Sequence, residues 1–374
     1  MLQSQRQLDL SLREKVLSLT HSQAIALYAE VLGTLQAAYI DREKVSPNRL
    51  LQQGAEEFLL SLNEPNFRKL HLPDVRDQEI TEFQTRLRNF MAVNVVENVA
   101  DAVTLVKQIT TTVRRDLRIT RSSVVILEFI SGACNSLDEY SSFLSPAELI
   151  AETRPDMEAS VVEAGFLKEG VGYFRVTHFR DSTPAEIDAA IASLKMSMDG
   201  MNLKALVMDL RGNSGGSFSA AVQVVERFLP EGVVVTTQGR LDEFNKVHQT
   251  GGRMNVISLP LIVLVDATTA SAAEILAGAF RDHQRATLVG TSTYGKGSIQ
   301  HVLQFQTAEE IDESGKPKPR TGGMRITLAR FYSPNGQAIS GAGIAPHIIE
   351  QDKTRQLEVA VAQASRQISV MPPR

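Results

Sequence analysis

The pattern of hydrophobic and polar positions changes character once along the chain. From about residue 10 to residue 135, apolar residues recur every three or four positions, as in "HSQAIALYAEVLGTLQAAYI", a spacing typical of amphipathic helices. After "FLSPAEL", short apolar runs typical of strands alternate with helical stretches. We therefore expect a helical N-terminal domain followed by a layered α/β core.

The second part of the chain predicts strands and helices in alternation, which indicates an α/β layer with mostly parallel pairing. Almost wholly apolar runs favour strands buried on both faces. The predicted strands are "GVGYFRVTHF", "LKALVMDL", "GVVVTTQGR", "PLIVLVD", "RATLVG", "GSIQHVLQF" and "MRITLARFYS". The predicted helices are "STPAEIDAAIASLKMSM", "SFSAAVQVVERFL", "SAAEILAGAFRD" and "TRQLEVAVAQASRQI".

Three regions follow from this reading. Residues 1–150 form a helical N-terminal region, residues 151–350 the α/β core, and residues 351–374 a C-terminal helix and tail. The polar stretch "TAEEIDESGKPKPRTGG" predicts a solvated loop within the core. A length of 374 residues agrees with two or three domains.

Composition excludes several classes of site. The net charge of -4, without a dense basic run, argues against a nucleic-acid partner. The single cysteine, Cys134, excludes an internal disulfide framework. The seven histidines show no metal-ligand spacing, so we expect no metal and no other cofactor.

The chain contains no apolar run of about 18 residues, so we expect no membrane span. Its first residues, "MLQSQRQLDLSLREKVLSLT", lack the apolar core of a signal peptide. This predicts a cytoplasmic protein if the chain is complete, and a periplasmic or other exported one if an export signal has been removed. The apolar stripes of the helical region could also pack against a second copy in a homo-oligomer.

The first cluster of candidate residues, "DLRGNSGG", follows the predicted strand "LKALVMDL". Gly215 and Gly216 allow a tight turn that points backbone N–H groups into a cleft, as an oxyanion hole requires. An ordinary glycine turn between a strand and a helix gives the same pattern. These residues alone leave both interpretations open.

Ser271 opens the second cluster, where the run "PLIVLVDATTA" meets the helix "SAAEILAGAF". The spacing Ser-x-x-Glu predicts a capping box in which Ser271 and Glu274 satisfy free backbone N–H groups. The same helix start carries partial positive charge, so the N–H of Ala272 could stabilise an oxyanion formed at a serine nucleophile. Both roles, cap and nucleophile, stay open for Ser271.

The third cluster, "GTSTYGKGSIQ", resembles a phosphate-binding loop from Gly290 to Lys296. That motif needs a serine or threonine after the lysine and then a helix, but Gly297 and a strand pattern follow here. A lysine can instead act as a general base when burial keeps it neutral. Gln300 would share a strand face with Lys296 and could orient its amine. A solvated turn lysine is the third interpretation.

Together and in this order, the clusters resemble the C-terminal processing peptidases, the tail-specific family of serine proteases. The family pattern is Asp-Leu-Arg-x-Asn-x-Gly-Gly, then Ser-Ala-x-x-Glu-Ile, then Thr-[Phe/Tyr]-Gly-Lys-Gly-[Ser/Thr]-[Val/Ile]-Gln. This chain has "DLRGNSGG", "SAAEILAG" and "TYGKGSIQ". The similarity extends to "LDEYSSFLSP", "GVGYFRVTHF" and "ARFYSPNGQAISGAGIAPH" and so covers most of residues 119 to 350.

The resemblance implies a Ser–Lys hydrolase of protein or peptide substrates, on a layered core like those of the crotonase and Clp protease folds. Ser–Lys pairs are a known variant of the serine protease triad. By matching motif positions, Ser271 is the nucleophile, Lys296 the general base and Gln300 the residue that orients the base. The backbone N–H groups of Gly215, Gly216 and Ala272 form the oxyanion hole.

The chain departs from the family in two respects. Ala273 and Thr269 stand where many relatives have serines beside the nucleophile, which is a mild change, and the larger departure concerns a whole domain. A PDZ domain of roughly a hundred residues normally separates the Leu-Ser-Pro segment from the Gly-Tyr strand. Here only "AELIAETRPDMEASVVEAGFLKEG" lies between Pro146 and Val171. We therefore expect no PDZ domain and no preference for a free substrate carboxylate.

Three other functions remain as alternatives. A peptide-binding scaffold could keep the core without cleaving, although the intact Ser271, Lys296 and Gln300 favour an enzyme. A crotonase-like thioester enzyme would share the oxyanion hole but would not need the Ser–Lys pair. A nucleotide-binding protein is the weakest of the three, because the phosphate-loop motif is incomplete.

Overall fold

A computed structural model describes residues 3–153, 160–168, 170–196, 203–252, 255–307, 310–311, 317–318 and 321–370. The chain divides into two compact units. Unit 1 consists of Met1–Pro155 and Gln300–Leu328, and unit 2 of Asp156–Ile299 and Ala329–Arg374. This grouping differs from the predicted regions, because part of the C-terminal half pairs with a strand of the N-terminal region and the last helix packs on the core sheet.

The predicted helices of both halves are present. The α-helices are α1 (Gln3–Leu8), α2 (His21–Ala38), α3 (Pro47–Ser61), α4 (Pro65–His71), α5 (Asp77–Val93), α6 (Val99–Leu117), α7 (Ser122–Asn135), α8 (Pro146–Glu152), α9 (Thr183–Met196), α10 (Phe218–Glu226), α11 (Ala272–Asp282) and α12 (Lys353–Val370).

The strands include all those predicted and several short ones that the sequence did not indicate. They are β1 (Ser142–Leu144), β2 (Val162–Lys168), β3 (Val171–Val176), β4 (Ala205–Asp209), β5 (Val233–Gly239), β6 (Lys246–Gln249), β7 (Leu261–Val265), β8 (Thr287–Gly290), β9 (Ser298–Gln304), β10 (Glu310–Ile311), β11 (Pro317–Lys318), β12 (Gly323–Tyr332) and β13 (Ile348–Ile349).

Helix α7 forms the centre of unit 1. Its residues from Ser123 to Cys134 are all buried, as expected for a helix surrounded by others. It packs closely on α3 at two glycines: a Cβ on Gly132 would lie 2.4 Å from the carbonyl oxygen of Gln53 and 2.8 Å from Cα of Gly54. Any larger side chain would push the two helices apart.

A charged cluster fastens α1 to this helical core. Arg6 is 3% exposed, and its guanidinium contacts Glu57 at 2.5 Å and Glu128 at 2.6 Å. Gln7 donates to the second oxygen of Glu128 at 3.0 Å. Burial raises the pKa of Glu128, and the Arg6 cation opposes that rise. The first helix is therefore held by ionic contacts in the interior.

Strand pairing explains why Gln300–Leu328 belongs to unit 1. β1 pairs antiparallel with the first part of β12, in the register Ser142 to Arg325. In the stretch predicted as a solvated loop, β10 and β11 form a two-stranded antiparallel ladder. The loop prediction was wrong for these four residues, because backbone pairing does not require an apolar sequence. Residues 308–309, 312–316 and 319–320 of the same stretch lie outside the described part.

Unit 2 contains the predicted α/β layer. A six-stranded sheet has the order β13-β8-β7-β4-β3-β2, parallel except for the antiparallel edge pair of β2 and β3. Every residue of β4 and β7 is buried. Alternate side chains of these strands pack against α9, α10 and α11 on one face and against α12 on the other. The prediction of mostly parallel pairing is confirmed for this sheet.

A second strand layer in unit 2 is antiparallel. β5 pairs with β6 and with the last residues of β12, from Ala329 to Tyr332. Val234, Val235 and Phe331 belong to the same buried cluster as α10 and α11. Among the described residues, no helix is both long and apolar enough to cross a membrane.

Candidate active site

The three predicted clusters meet in unit 2 at one edge of the parallel sheet. The segment after β4 carries Gly215 and Gly216, the segment after β7 carries Ser271, and the segment after β8 carries Lys296. Parallel strands end at the same edge, which is where such sheets bind ligands. The positions of these residues follow from the strand order β8-β7-β4.

Asn213 fixes the glycine turn from within. Its side chain is fully buried, donates to the carbonyl oxygen of Val176 at 2.9 Å and accepts from the N–H of Gly215 at 2.8 Å. Its own carbonyl accepts from the N–H of Ala270, the residue before Ser271, at 2.9 Å. One residue thus joins the end of β3, the glycine turn and the approach to Ser271.

The glycine turn lies directly against Ser271. Gly215 has φ 111°, and a Cβ built on it would come within 2.7 Å of Cβ of Ser271 and 3.1 Å of N of Ala272. Only glycine fits this conformation and this space. The N–H of Gly215 is already bonded to Asn213, whereas among the described residues the N–H groups of Gly216 and Ala272 donate no hydrogen bond.

Ser271 precedes α11 in a strained conformation. Its φ of 55° and ψ of -119° lie in a region that side chains with a Cβ rarely adopt. Its N–H donates to Oε2 of Glu274 at 2.8 Å, so the glutamate half of the predicted capping box is present. Among the described residues, however, the Ser271 hydroxyl makes no capping hydrogen bond. The hydroxyl is thus left available for other chemistry.

Glu274 is the centre of the site. It is completely buried, and each carboxylate oxygen accepts two hydrogen bonds. Oε1 accepts from the Thr293 hydroxyl at 2.5 Å and the Gly295 N–H at 2.7 Å. Oε2 accepts from the N–H groups of Ser271 and Lys296, both at 2.8 Å. Burial raises the pKa of Glu274, and these hydrogen bonds oppose the rise.

One carboxylate oxygen therefore holds the backbone of both predicted catalytic residues. Lys296 and Ser271 lie in different segments of the chain, yet their N–H groups share Oε2 of Glu274. Lys296 is partly buried and is followed by β9 instead of a helix, unlike the lysine of a phosphate-binding loop. Thr293, which donates to Glu274, accepts in turn from the N–H of Ile344 at 2.7 Å.

Gln300 lies on β9, within the second segment of unit 1. Its side-chain amide donates to the Thr327 hydroxyl on β12 at 3.3 Å. Its predicted role of orienting Lys296 stays a prediction.

Asp266 connects the first cluster to the second. Its Oδ1 accepts from the N–H groups of Gly212, Thr268 and Thr269 at 3.0 to 3.2 Å. The Thr269 hydroxyl donates to the carbonyl oxygen of Leu210 at 2.9 Å. Burial alone would raise the pKa of Asp266, but the hydrogen bonds that favour its charged form lower it below the ordinary value. The segment after β4 and the segment after β7 are thus fixed to each other.

The Asp-Leu-Arg sequence anchors the first cluster to α12. Asp209 is buried and accepts from the Arg211 guanidinium at 2.6 Å and the Tyr173 hydroxyl at 3.0 Å. Arg211 also donates to the carbonyl oxygen of Lys353 at 2.9 Å. Burial, together with the nearby carboxylate, raises the pKa of Tyr173 to about 12. These contacts are structural supports behind the glycine turn.

Sequence reasoning missed the roles of Asn213, Asp266 and Thr293. For Glu274 it predicted the capping contact with Ser271 and none of the other three hydrogen bonds. Each of these residues stood inside or beside a motif that was recognised. Only the capping spacing signalled Glu274, because its other three donors come from residues 19 to 22 positions away.

The chain resembles known peptidases in sequence. The sequence pattern of peptidase family S41 matches residues 170–349. The carboxy-terminal-processing protease of Bartonella bacilliformis is 36% identical over 181 residues, which are 48% of this chain and 38% of that protein. The chloroplastic carboxyl-terminal-processing peptidase 2 of Arabidopsis thaliana is 36% identical over 180 residues, 47% of this chain and 31% of that protein. The chain thus spans less than two fifths of the length of either relative.

A solved structure shows the same fold. The photosystem II D1 C-terminal processing protease superposes with a TM-score of 0.53 at 18% identity, over 91% of this chain and 97% of that one. The family match over residues 170–349 includes all three clusters and every hydrogen bond to Glu274. On these grounds residues 170–349 match peptidase family S41, and the chain resembles the carboxyl-terminal-processing proteases.

Proposed function

We propose that this protein is a serine endopeptidase that hydrolyses peptide bonds in unfolded or flexible protein segments. Ser271 is the nucleophile, Lys296 the general base and Gln300 the residue that orients the base. The observation that carries this proposal is the single Glu274 oxygen that accepts from the N–H groups of both Ser271 and Lys296. It fixes the two reacting residues in one rigid frame, which is how enzymes place reacting groups.

The reaction follows from these roles. The neutral amine of Lys296 takes the hydroxyl proton of Ser271 as its oxygen attacks the substrate carbonyl. The resulting oxyanion is stabilised by the N–H groups of Gly216 and Ala272, since Gly215 donates to Asn213. The tetrahedral adduct collapses, and the protonated amine of Lys296 gives its proton to the departing amine. Water then attacks the acyl-serine, with Lys296 again as the base, and releases the carboxylate.

The backbone geometry at Ser271 supports the same assignment. Its positive φ presents the side chain at the start of α11, where the partial positive charge of the helix favours an oxyanion. A residue that served only as a cap would adopt extended backbone and use its hydroxyl on the helix. Ser271 does neither.

The experiment is digestion of an unfolded protein by the purified chain and by four active-site variants. Ser271→Ala, Lys296→Ala and the double variant should each abolish cleavage, and the double variant should be no worse than either single one, because residues of one catalytic unit are not additive. Lys296→Arg should also be inactive, since a guanidinium stays protonated. Matched controls are the exposed Ser369→Ala and Lys246→Ala, which should cleave at the parent rate.

Cleavage that survives Ser271→Ala would refute the proposed nucleophile. A parent protein that binds the unfolded substrate without cutting it would support the scaffold alternative. Hydrolysis of a thioester but not of the protein, unaffected by Lys296→Ala, would support the crotonase-like alternative.

A further inference from the structure

The stretch of chain between β3 and α9 lies beside the glycine turn of the candidate active site. The N–H of Phe179 donates to the carbonyl oxygen of Gly215 at 2.8 Å, and the carbonyl oxygen of Phe179 accepts from the N–H of Ser217 at 2.8 Å. Phe179 and Gly216 thereby form a parallel bridge beyond the ends of β3 and β4. The glycine turn is therefore held from the β3 side as well as by Asn213.

This bridge decides where the N–H of Gly216 points. In a trans peptide bond the carbonyl oxygen and the following N–H lie in one plane and point in opposite directions. The peptide bond between Gly215 and Gly216 is trans, and its carbonyl oxygen points at the N–H of Phe179. The N–H of Gly216 consequently points away from Phe179. Because this N–H is one of the two proposed donors to the oxyanion, the orientation of its peptide matters for catalysis.

A peptide between two glycines can rotate at low cost. Gly215 and Gly216, with φ of 111° and 124°, lack the Cβ atoms that normally restrict backbone rotation. A rotated peptide would direct the carbonyl oxygen of Gly215 at the oxyanion in place of the Gly216 N–H. The hydrogen bond from Phe179 opposes this rotation, but the net contribution of one such bond is modest. A second restraint on the turn would therefore have a measurable effect.

The imidazole of His178 lies where such a restraint is needed. It is half-buried, and a Cβ built on Gly216 would come within 2.7 Å of its Nε2. The same Cβ would lie 2.1 Å from the carbonyl oxygen of Phe179. The ring and this carbonyl group thus fill the space on the β3 side of Gly216. That is the side towards which the Gly216 N–H would have to turn.

The backbone that carries the imidazole is held in place. The hydroxyl of Thr183, a completely buried residue, donates to the carbonyl oxygen of His178 at 3.4 Å and accepts from the N–H of Arg180 at 2.9 Å. The Ser217 hydroxyl, at the end of the glycine turn, donates to Asp181 at 2.9 Å. These contacts fix the backbone of His178 relative to the turn and so define the space that its ring occupies.

We propose that His178 is a positioning residue of the oxyanion hole. Its imidazole packs on Gly216 and keeps the preceding peptide in the orientation that presents an N–H group to the oxyanion. The inference rests on the proposed function and adds a residue that the sequence did not single out, because "GVGYFRVTHF" indicated only a strand. The role requires a side chain of this length and does not require a charge.

The first test is the rate at which an internally quenched peptide is cleaved. His178→Ala should lower kcat about tenfold to 100-fold with KM within about twofold of the parent, because a misdirected donor weakens the transition state alone. His178→Gln should recover most of the rate, since its side-chain amide fills a similar space. The exposed His21→Ala on α2 is the matched control and should cleave at the parent rate.

A peptide boronic acid separates the oxyanion hole from substrate binding. The oxygen of Ser271 adds to boron, its proton passes to Lys296, and the tetrahedral boronate places an oxygen where the oxyanion would form. In His178→Ala the inhibition constant of the boronic acid should rise by the factor by which kcat/KM falls. The affinity of the corresponding peptide amide should stay that of the parent, whereas a disturbed fold would weaken the binding of both ligands.

A third readout does not depend on catalysis. In protein labelled with ¹⁵N-glycine, relaxation dispersion of the Gly216 amide reports exchange between two orientations of its peptide on the microsecond-to-millisecond timescale. We expect this exchange in His178→Ala, and we expect none in the parent or in His178→Gln. A flat dispersion profile for Gly216 in His178→Ala would overturn the proposal, as would an unchanged kcat.

These outcomes are separate from those that test the proposed function. A parent protein that cleaves no peptide loses the proposed function, while the Gly216 dispersion still decides whether His178 holds the turn. A parent that cleaves, with a His178→Ala variant that cleaves equally well, keeps its proposed function and loses only this inference.

Discussion

Among the glutamates that the structure describes, two are removed from solvent, one in each unit, and they are stabilised in different ways. Glu128 in unit 1 is 1% exposed and is paired with the Arg6 cation and the Gln7 amide. Glu274 in unit 2 is 0% exposed and accepts from three backbone N–H groups and one hydroxyl. Burial raises the pKa of both carboxyls.

The difference shows how the kind of partner decides what a buried carboxylate does. An ion pair joins two flexible side chains and so fastens α1 to the helical core. Hydrogen bonds from N–H groups fix the path of the backbone itself, within a few tenths of an ångström. The first arrangement serves stability, and the second suits the precise placement that the proposed catalysis needs. Three predictions test this distinction, from the largest expected effect to the smallest, and a fourth concerns the response to acid.

Replacing the cation in unit 1 should cost the most. Arg6→Met leaves Glu128 buried without its counter-charge, and breaking a buried pair in this way typically costs about 3–5 kcal/mol of unfolding free energy. Denaturant unfolding should show this loss, while the cleavage rate per folded molecule stays that of the parent. The exposed Arg49→Met is the control and should change stability by less than about 0.5 kcal/mol.

Adding Glu128→Leu to Arg6→Met should recover most of that loss, because removing both charges leaves no buried ion uncompensated. Glu57 is 18% exposed at its side chain and can be hydrated instead. A double variant as unstable as Arg6→Met alone would contradict the ionic account.

Replacing the carboxylate in unit 2 should affect the rate more than the stability. Glu274→Gln turns one carboxylate oxygen into an amide NH2 group that cannot accept, so two of the four donors lose their partner. A shift of about 1 Å at the site should lower kcat about 100-fold, with KM little changed. The exposed Glu243→Gln is the matched control. A kcat within twofold of the parent would show that Glu274 only caps α11.

Relief of the backbone strain at Ser271 should have a smaller effect, and this effect should raise the unfolding free energy. Both Ser271→Ala and Ser271→Gly should be inactive, but glycine accepts φ 55° without a Cβ clash. We expect the glycine variant to be about 1 kcal/mol more stable than the alanine variant, as thermal unfolding can measure. Equal stability would mean that the observed dihedral angles carry no strain.

The fourth prediction concerns acid. The folded pKa of His71 is about 4, below its ordinary 6.5, so the unfolded chain binds more protons between these values. The unfolding free energy should therefore fall as pH drops from about 6.5 to about 4, and the loss should be complete below that window. The difference in slope between the parent and His71→Gln isolates the imidazole. Identical slopes would show that His71 titrates normally.

The sequence by itself predicted most of the architecture. Helical spacing before residue 135 and the buried runs "LKALVMDL" and "PLIVLVD" are local signals, because a repeat of 3.6 or 2 residues indicates which face is buried. It also identified the clusters around Gly215, Ser271 and Lys296, since each is a compact motif. It missed short strands such as β2, whose residues are mostly exposed, and β6, because exposed positions carry no periodic apolar signal.

Only the tertiary structure decided how the motifs are joined. Sequence spacing presented Glu274 as a helix cap, but folding brings to it the N–H groups of Gly295 and Lys296, which lie 21 and 22 positions away. Folding likewise commits the Gly215 N–H to Asn213 and places Arg13 and Arg121 around one cavity. Local patterns record which side of an element is buried. The packing of whole elements decides which distant groups share a hydrogen bond or lie close enough to interact by charge. No short stretch of sequence contains that information.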